Sequence, residues 1–230
     1  MELTRANIAL SAAYPCAYLS AETAQMAVMP AGDSLSVAAY TKLVALGFRR
    51  SGGVIYRPQC PTCRACIPVR IEVTKFCPNR SQRRCFKRNQ DLEVSIKEPQ
   101  LQLEHYQLYL RYLKARHGNS NQTLEDYWNF LTCHWCTTKF CEFRLRGQTV
   151  MVAVVDVLED SLSAVYTFYS PEFTQRSLGT YAVLWQIETA KRMGLRWLYL
   201  GYWIAACRKM AYKARFKPQQ WYLGKWQPAS

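Results

Sequence analysis

Apolar positions along the chain first recur at helical spacing, then every second residue, and that change of period outlines the elements. Val37, Tyr40, Leu43 and Val44 form a stripe that Gly47 ends, so residues 36–46 are expected to be a short helix capped by Ser34 or Ser36. Residues 48–58 read as a hairpin around Gly52-Gly53. Residues 69–73 alternate as a strand, with Arg70 and Glu72 opposite Val69, Ile71 and Val73. Before this, residues 1–35 read as mostly irregular, with Tyr18 and Leu19 in a short strand. Leu101, Glu104, His105, Leu108, Tyr112 and Ala115 mark a long helix over 100–116, ended by Gly118-Asn119. A second helix is expected over 124–136, opened by Thr123, with Cys133 and Cys136 in the core. His105 and His117 suit packing or capping better than catalysis. Strands follow at 139–146, 149–158 and 161–168, joined by Gly147-Gln148 and Glu159-Asp160. A loop at 171–179, a helix at 180–193 capped by Gly194 and a strand at 195–200 complete the pattern. The composition shifts near Glu98-Pro99, which divides the chain into 1–98 and 99–230.

Charge adds what the pattern cannot. The 230 residues carry a formal net charge of +14 while half of them are apolar, which points to a folded protein that binds a polyanion, nucleic acid foremost. No apolar run reaches the roughly 18–20 residues of a membrane span, and Met1-Glu2-Leu3-Thr4-Arg5 opens no signal peptide. The ten cysteines are therefore expected to be reduced thiols in a cytoplasm, with no membrane partner. Residues 75–88 hold Lys75, Arg80, Arg83, Arg84, Lys87 and Arg88 and no acid. If Ser81 caps a helix there, Arg80, Arg84, Lys87 and Arg88 share one face, suited to phosphates.

Cys60, Cys63 and Cys66 stand at two-residue spacings among prolines, a pattern that turns sulfurs toward one point. Such thiolates suit zinc or an iron–sulfur cluster, with Cys16 as the fourth ligand and Cys77 behind it. The alternative is a metal-free group of reduced thiols that shapes a loop or touches a substrate.

The order β-β-β-α-β resembles the core of GNAT-type acyltransferases. Their coenzyme A loop reads R/Q-x-x-G-x-G/A, and the stretch here is Arg176-Ser177-Leu178-Gly179-Thr180-Tyr181. Tyr181 at the last position is expected to obstruct a pyrophosphate, so the donor should not be coenzyme A.

Several further motifs occur in one order: Tyr14-Pro15-Cys16; Cys60 to Arg70; Asn79-Arg80-Ser81-Gln82-Arg83-Arg84; Asp156-Val157-Leu158 with Val165 to Tyr169; Gly179-Thr180-Tyr181; and Tyr199 to Ile204 followed by Lys209 to Pro218. Together they resemble the arginyltransferase-like aminoacyl-tRNA–protein transferases over nearly the whole chain. The bacterial branch, the aspartate/glutamate leucyltransferases, is the most similar. The resemblance implies an α+β fold, with a GNAT-like acyltransferase domain and a smaller cysteine-containing N-terminal domain. It also implies transfer of leucine from leucyl-tRNA to proteins with N-terminal Asp or Glu, which marks them for N-end rule degradation.

An α-amine that attacks an activated ester needs no enzyme nucleophile and no cofactor for the chemistry; the protein must align both partners and stabilise an oxyanion. Asp156, in the apolar run Val154-Val155-Asp156-Val157, either holds the amine or pairs with a neighbouring arginine. Tyr166 and Tyr202, with Tyr199, are phenols near strand ends placed to donate to the oxyanion or leaving oxygen. Arg70, Arg80 and Arg84 are expected to read the acceptor carboxylate. Arg83, Lys87, Arg88, Arg176, Gly179, Lys209, Tyr212, Lys213 and Arg215 are expected to meet the tRNA. The competing readings are an arginyl donor, a non-catalytic RNA-binding module and a coenzyme A-dependent acetyltransferase.

Overall fold

The computed structural model describes residues 8–32, 35–118 and 120–229. Short strands β1 (Ala9–Leu10), β2 (Tyr14–Pro15) and β3 (Thr23–Ala24) precede β4 (Met26–Pro30). β4 departs from the irregular reading of this segment. Ala27 and Met29 alternate into the core, but one of the two is too small to mark the period. Tyr18 and Leu19 lie in the bend between β2 and β3, not in a strand. Helix α1 (Val37–Ala45) starts at Ser36, whose hydroxyl accepts from the Ala39 amide at 3.2 Å. Ser34, the other cap considered, and Asn119, expected beyond the long helix, lie outside the described residues. Tyr40, Leu43 and Val44 pack α1 on Met29, Phe48 and Ile55.

The hairpin of β5 (Arg49–Ser51) and β6 (Val54–Pro58) completes an antiparallel sheet ordered β1-β4-β6-β5. Its turn needs Gly52. At φ +55° a Cβ there would lie 2.1 Å from the Asn129 carbonyl oxygen.

β7 (Ile67–Glu72), α2 (Arg80–Arg88) and β8 (Glu93–Lys97) come next, then α3 (Leu103–His117), α4 (Leu124–Leu131), β9 (Thr137–Leu145), β10 (Gln148–Val157), β11 (Ser161–Tyr169), α5 (Leu178–Arg192), β12 (Trp197–Trp203), α6 (Arg208–Ala211), β13 (Gln220–Tyr222) and β14 (Trp226–Pro228). Eight strands form one sheet in the order β14-β13-β7-β12-β11-β10-β9-β8. Only β11 and β12 are parallel, joined by α5. β7 and β8, which precede residue 98, belong to this sheet, so its hydrogen bonding runs across the composition shift.

α2 is capped by Asn79 and not Ser81. Asn79 and Gln82 form a reciprocal capping box at 2.9 Å each way. α4 stops at Leu131, five residues before the expected end. Thr132 turns extended, bonds its hydroxyl back to the Trp128 carbonyl at 2.8 Å, and leaves Cys133 and Cys136 in a turn. Trp135 is buried edge-on to Tyr40 at 4.9 Å. The stretch 171–176, expected as loop, makes a 3-10 helix.

One sheet face packs on α5 and α2. On the other face the core of α3 and α4 (Leu108, Tyr109, Leu113, Tyr127 and Leu131, with Phe140, Val152, Val154 and Phe168) lies beside that of α1. His105 is part of the fold: its ring meets Glu142 at 2.6 Å, beside Lys97 at 2.8 Å from the same carboxylate. Burial pushes Glu142 up, but these partners outweigh it and hold its pKa at about 2.

Candidate functional site at the parting of two strands

β11 and β12 pair over only three residues, Ser161–Ser163 with Trp197–Tyr199, and then diverge. A parting of parallel strands at their carboxyl ends is where open α/β sheets accept ligands. Here it contains two cations. Arg49 donates to the Ala164 carbonyl of β11, and the Lys213 amine donates to the Tyr202 carbonyl of β12 at 2.6 Å. Between them a register shift in β12 places Gly201 at φ +78°. That positive φ favours glycine, and both heads lie against it, Arg49 Nε 3.5 Å and Lys213 Nζ 3.7 Å from where a Cβ would stand.

Arg49 and Lys213 are 7% and 6% exposed. Among the described residues no carboxylate pairs with either, and Arg49 Nη1 is buried with no hydrogen-bond partner. Burial and then the Arg49 charge push the Lys213 ammonium down to about 7. Lys213, expected among the tRNA contacts, is thus an interior residue, because its stem folds inward from the basic segment to reach Tyr202. Arg49 was not singled out from sequence, where Arg49-Arg50 gives no sign that both are buried.

Arg50 shows the opposite arrangement. Its Nε and Nη2 grip Asp156 at 2.7 Å each, Thr138 donates to the same carboxylate at 2.8 Å and Tyr40 at 3.1 Å. Both side chains of the ion pair are fully buried. Asp156 therefore has four donors and no open face, and of its two sequence readings the arginine partner is the one with a structural counterpart. Tyr202 uses its hydroxyl on the Gly47 and Tyr56 carbonyls, at 2.9 and 3.3 Å, tying β12 to the N-terminal sheet instead of facing a substrate. Tyr166 lies among Tyr109, Tyr112 and Phe130, and burial raises its phenol.

The three arginines expected to read a carboxylate do not meet. Arg70 sits between the Trp197 and Trp226 rings at 3.6 and 4.3 Å and bonds Gln220 at 2.8 Å. Arg80 and Arg84 are exposed on α2, across the sheet. Arg83, Lys87 and Arg88 are exposed beside them, and Arg88 also holds the Gln175 carbonyl. Arg215 is exposed too, and its carbonyl accepts from Gln82 of α2 at 2.9 Å, bringing its segment beside the basic helix.

α2 also covers the loop before α5. Asn89 donates to the Arg176 carbonyl at 2.9 Å, and Cys85 reaches the carbonyls of Arg176 and Ser177. Arg176 is itself paired with Asp91 by two 2.8 Å bonds, so it is engaged within the protein. Tyr181 does not obstruct a ligand as expected. It is buried between Phe86 and Phe143, and the covering of the loop comes from α2.

A second basic and aromatic group borders the parting. Gly179 lies against the Tyr169 ring, where a Cβ would come within 3.1 Å. Arg116 donates to the Tyr169 hydroxyl at 2.9 Å, Lys209 meets His117 at 3.3 Å, and Tyr212 is exposed nearby. Arg116 was missed because it sits in a helix that reads as packing.

Cys16, Cys60 and Cys63 lie near enough to Cys66 to reinforce burial in pushing its thiol up to about 12. Cys60 donates to the Gln25 carbonyl at 3.8 Å. Among the described residues no three of His, Cys, Asp or Glu meet in an arrangement that would hold a metal ion, so no step is assigned to one.

Models of the arginine-tRNA-protein transferase family match residues 14–84 (N terminus) and 104–223 (C terminus). The chain belongs to that family. The aspartate/glutamate leucyltransferase of Chromobacterium violaceum is 47% identical over 94% of this chain and 91% of its own. That of Pseudomonas fluorescens is 44% identical over 94% of each. Among solved structures, the C-terminal DUF2156 domain of an Agrobacterium fabrum protein assigned as a lysylphosphatidylglycerol synthetase superposes with a TM-score of 0.53 at 14% identity, over 82% of this chain and 62% of that one. This likeness bears on the fold alone. As a member of the transferase family the protein is an aminoacyltransferase that works with aminoacyl-tRNA and protein substrates. No helix among the described residues is long and apolar enough to cross a membrane.

Proposed function

We propose that the protein transfers leucine from leucyl-tRNA to the N-terminal Asp or Glu of protein acceptors and so marks them for N-end rule degradation in the cytoplasm. The observation that carries this reading is the 47% identity, over nearly the full length of both chains, to a protein named for that donor and those acceptors. In the reaction the acceptor's α-amine forms the new C–N bond at the leucyl carbonyl. The ester C–O bond breaks, and the tRNA 3′-terminal ribose oxygen leaves with the proton the amine gives up. No covalent enzyme intermediate is needed, so the work is alignment and charge stabilisation. The exposed α2 cations Arg80, Arg83, Arg84, Lys87 and Arg88 suit the tRNA backbone. Lys209, Tyr212 and Arg116 at the parting suit its single-stranded acceptor end, where aromatic rings stack on unpaired bases.

The test offers leucyl- or arginyl-tRNA with peptides that begin Asp, Glu, Lys or Arg. Leucine on Asp- and Glu-peptides alone is the expected result. Transfer from arginyl-tRNA, or onto Lys-peptides, overturns the assignment of donor or acceptor respectively.

A further inference from the structure

Buried charges in folded proteins are paired, because an isolated ion in the interior forfeits its hydration. Arg49 and Lys213 break this rule together and at one place. Both heads flank Gly201, each held only by a backbone carbonyl and, for Lys213, by the Met210 sulfur at 3.8 Å. The groups that face them come from every element packed there. Tyr40, whose hydroxyl is given to Asp156, is on α1, Tyr56 is on β6, Cys66 precedes β7, Tyr199 and Tyr202 are on β12, and Cys207 precedes α6. None is a carboxylate. Burial raises the Tyr56, Tyr199 and Tyr202 phenols and the Cys66 thiol, which keeps all four uncharged at neutral pH. Two buried cationic side chains thus lie side by side with no carboxylate to neutralise them among the described residues, and the mutual repulsion depresses Lys213.

We infer that Arg49 and Lys213 form the site that receives the side-chain carboxylate of the acceptor's N-terminal residue. This rests on the acidic-acceptor reading above and names the residues that would enforce it. A carboxylate matches the site better than a nucleic-acid phosphate does. It is small, it can enter on a free chain end, and it can accept from the vacant Arg49 nitrogen and from Lys213 at once. A tRNA backbone finds its cations on the exposed α2 face instead. The position also fits the chemistry, because the Tyr212 ring, read above as suited to the tRNA acceptor end, lies 5.9 Å from the Lys213 amine. Amide isosteres would be rejected, since they leave both cations buried and uncompensated. The depressed Lys213 adds a second signature. Its ammonium loses its proton as pH rises through about 7, so the preference for Asp- over Asn-peptides should weaken across that range, the titration of the α-amine being common to both and cancelling in the ratio.

The experiment compares peptides beginning Asp, Asn, Glu and Gln with leucyl-tRNA as donor, for the wild type, Lys213→Met, Lys213→Arg and Arg49→Gln. For Lys213→Met and Arg49→Gln the expected result is a KM for Asp- and Glu-peptides about 100-fold higher. KM for Asn-peptides should change by no more than a few-fold, leucyl-tRNA affinity should be retained, and Lys213→Arg should recover much of the acid preference. An unchanged Asp-to-Asn ratio in folded variants overturns the inference. So does a loss of leucyl-tRNA binding with that ratio intact, which would place the cations on phosphate. If the variants do not fold, calorimetry of wild type with Asp- and Asn-peptides between about pH 6 and about pH 9 decides: an Asp preference that does not weaken across pH 7 rejects the site. Wild type that does not modify acidic peptides at all would defeat the functional reading itself, a result separate from any of these.

Discussion

Arg49 and Arg50 are neighbours on one short strand, both buried, and they point to opposite sides of it. Arg50 finds Asp156, Thr138 and the Leu131 carbonyl, and although its Nη1 is left without a partner, its charge is neutralised by Asp156 and the pair joins the N-terminal sheet to β10. Arg49 finds a carbonyl, a glycine and another cation. The difference separates two uses of a buried charge. A compensated one locks two elements together and does nothing else, whereas an uncompensated one is held at a cost in stability and gains its partner only when a ligand arrives.

The largest effect should come from breaking the closed side. Asp156→Ala leaves the Arg50 guanidinium buried beside an empty place, and we expect a loss of about 3–5 kcal/mol in denaturant unfolding. A folded Asp156→Ala protein of wild-type stability would show that the ion pair does not join the two sheets.

A smaller effect tests a second compensated acid. Glu142 is held at about 2 against an ordinary 4.5, so it contributes stability that is complete above about 4.5 and disappears as pH falls toward 2. The loss should be on the order of 2 kcal/mol in urea titrations over that range, and absent from Glu142→Gln, which no longer titrates there.

The open side should respond with the opposite sign. Lys213→Met removes an uncompensated interior charge and fills its place with apolar atoms, so the melting temperature should hold or rise, by up to about 1 kcal/mol of added stability. A marked drop would place Lys213 with Arg50 as a structural cation and erase the comparison.

The least effect on stability belongs to the exposed cations. Arg84→Glu on α2 should change unfolding free energy by no more than about 0.5 kcal/mol. Leucyl-tRNA binding should weaken several-fold and its salt dependence become shallower, with the Asp-to-Asn ratio untouched. Filter-binding titrations at several salt concentrations measure both.

What was legible in advance is local. The stripe Tyr40-Leu43-Val44 and the three runs at 139–146, 149–158 and 161–168, set apart by Gly147-Gln148 and Glu159-Asp160, announce α1 and β9–β11, because each signal lies within a few residues and needs no partner to be seen. β4 passed as irregular because Ala27 marks a buried position weakly. The end of α4 is not legible because its apolar positions continue through Trp135, which is buried beyond the helix end.

The sequence by itself pointed to the family, to α1, α3, α5 and β9–β12, and to a basic segment at residues 75–88, all of which are written in short-range pattern and in motifs that keep their order, whereas β4, β8, β13 and β14 were not legible in it. Tertiary structure decided which charges face water. Arg49, Arg50 and Lys213 all stand in basic runs that read alike, yet the chain buries these three and exposes Arg80, Arg84 and Lys209. The reason is that a charge is hidden or solvated according to elements far away in sequence. Asp156 lies 106 residues from Arg50, and the carbonyl that holds Arg49 is 115 residues distant.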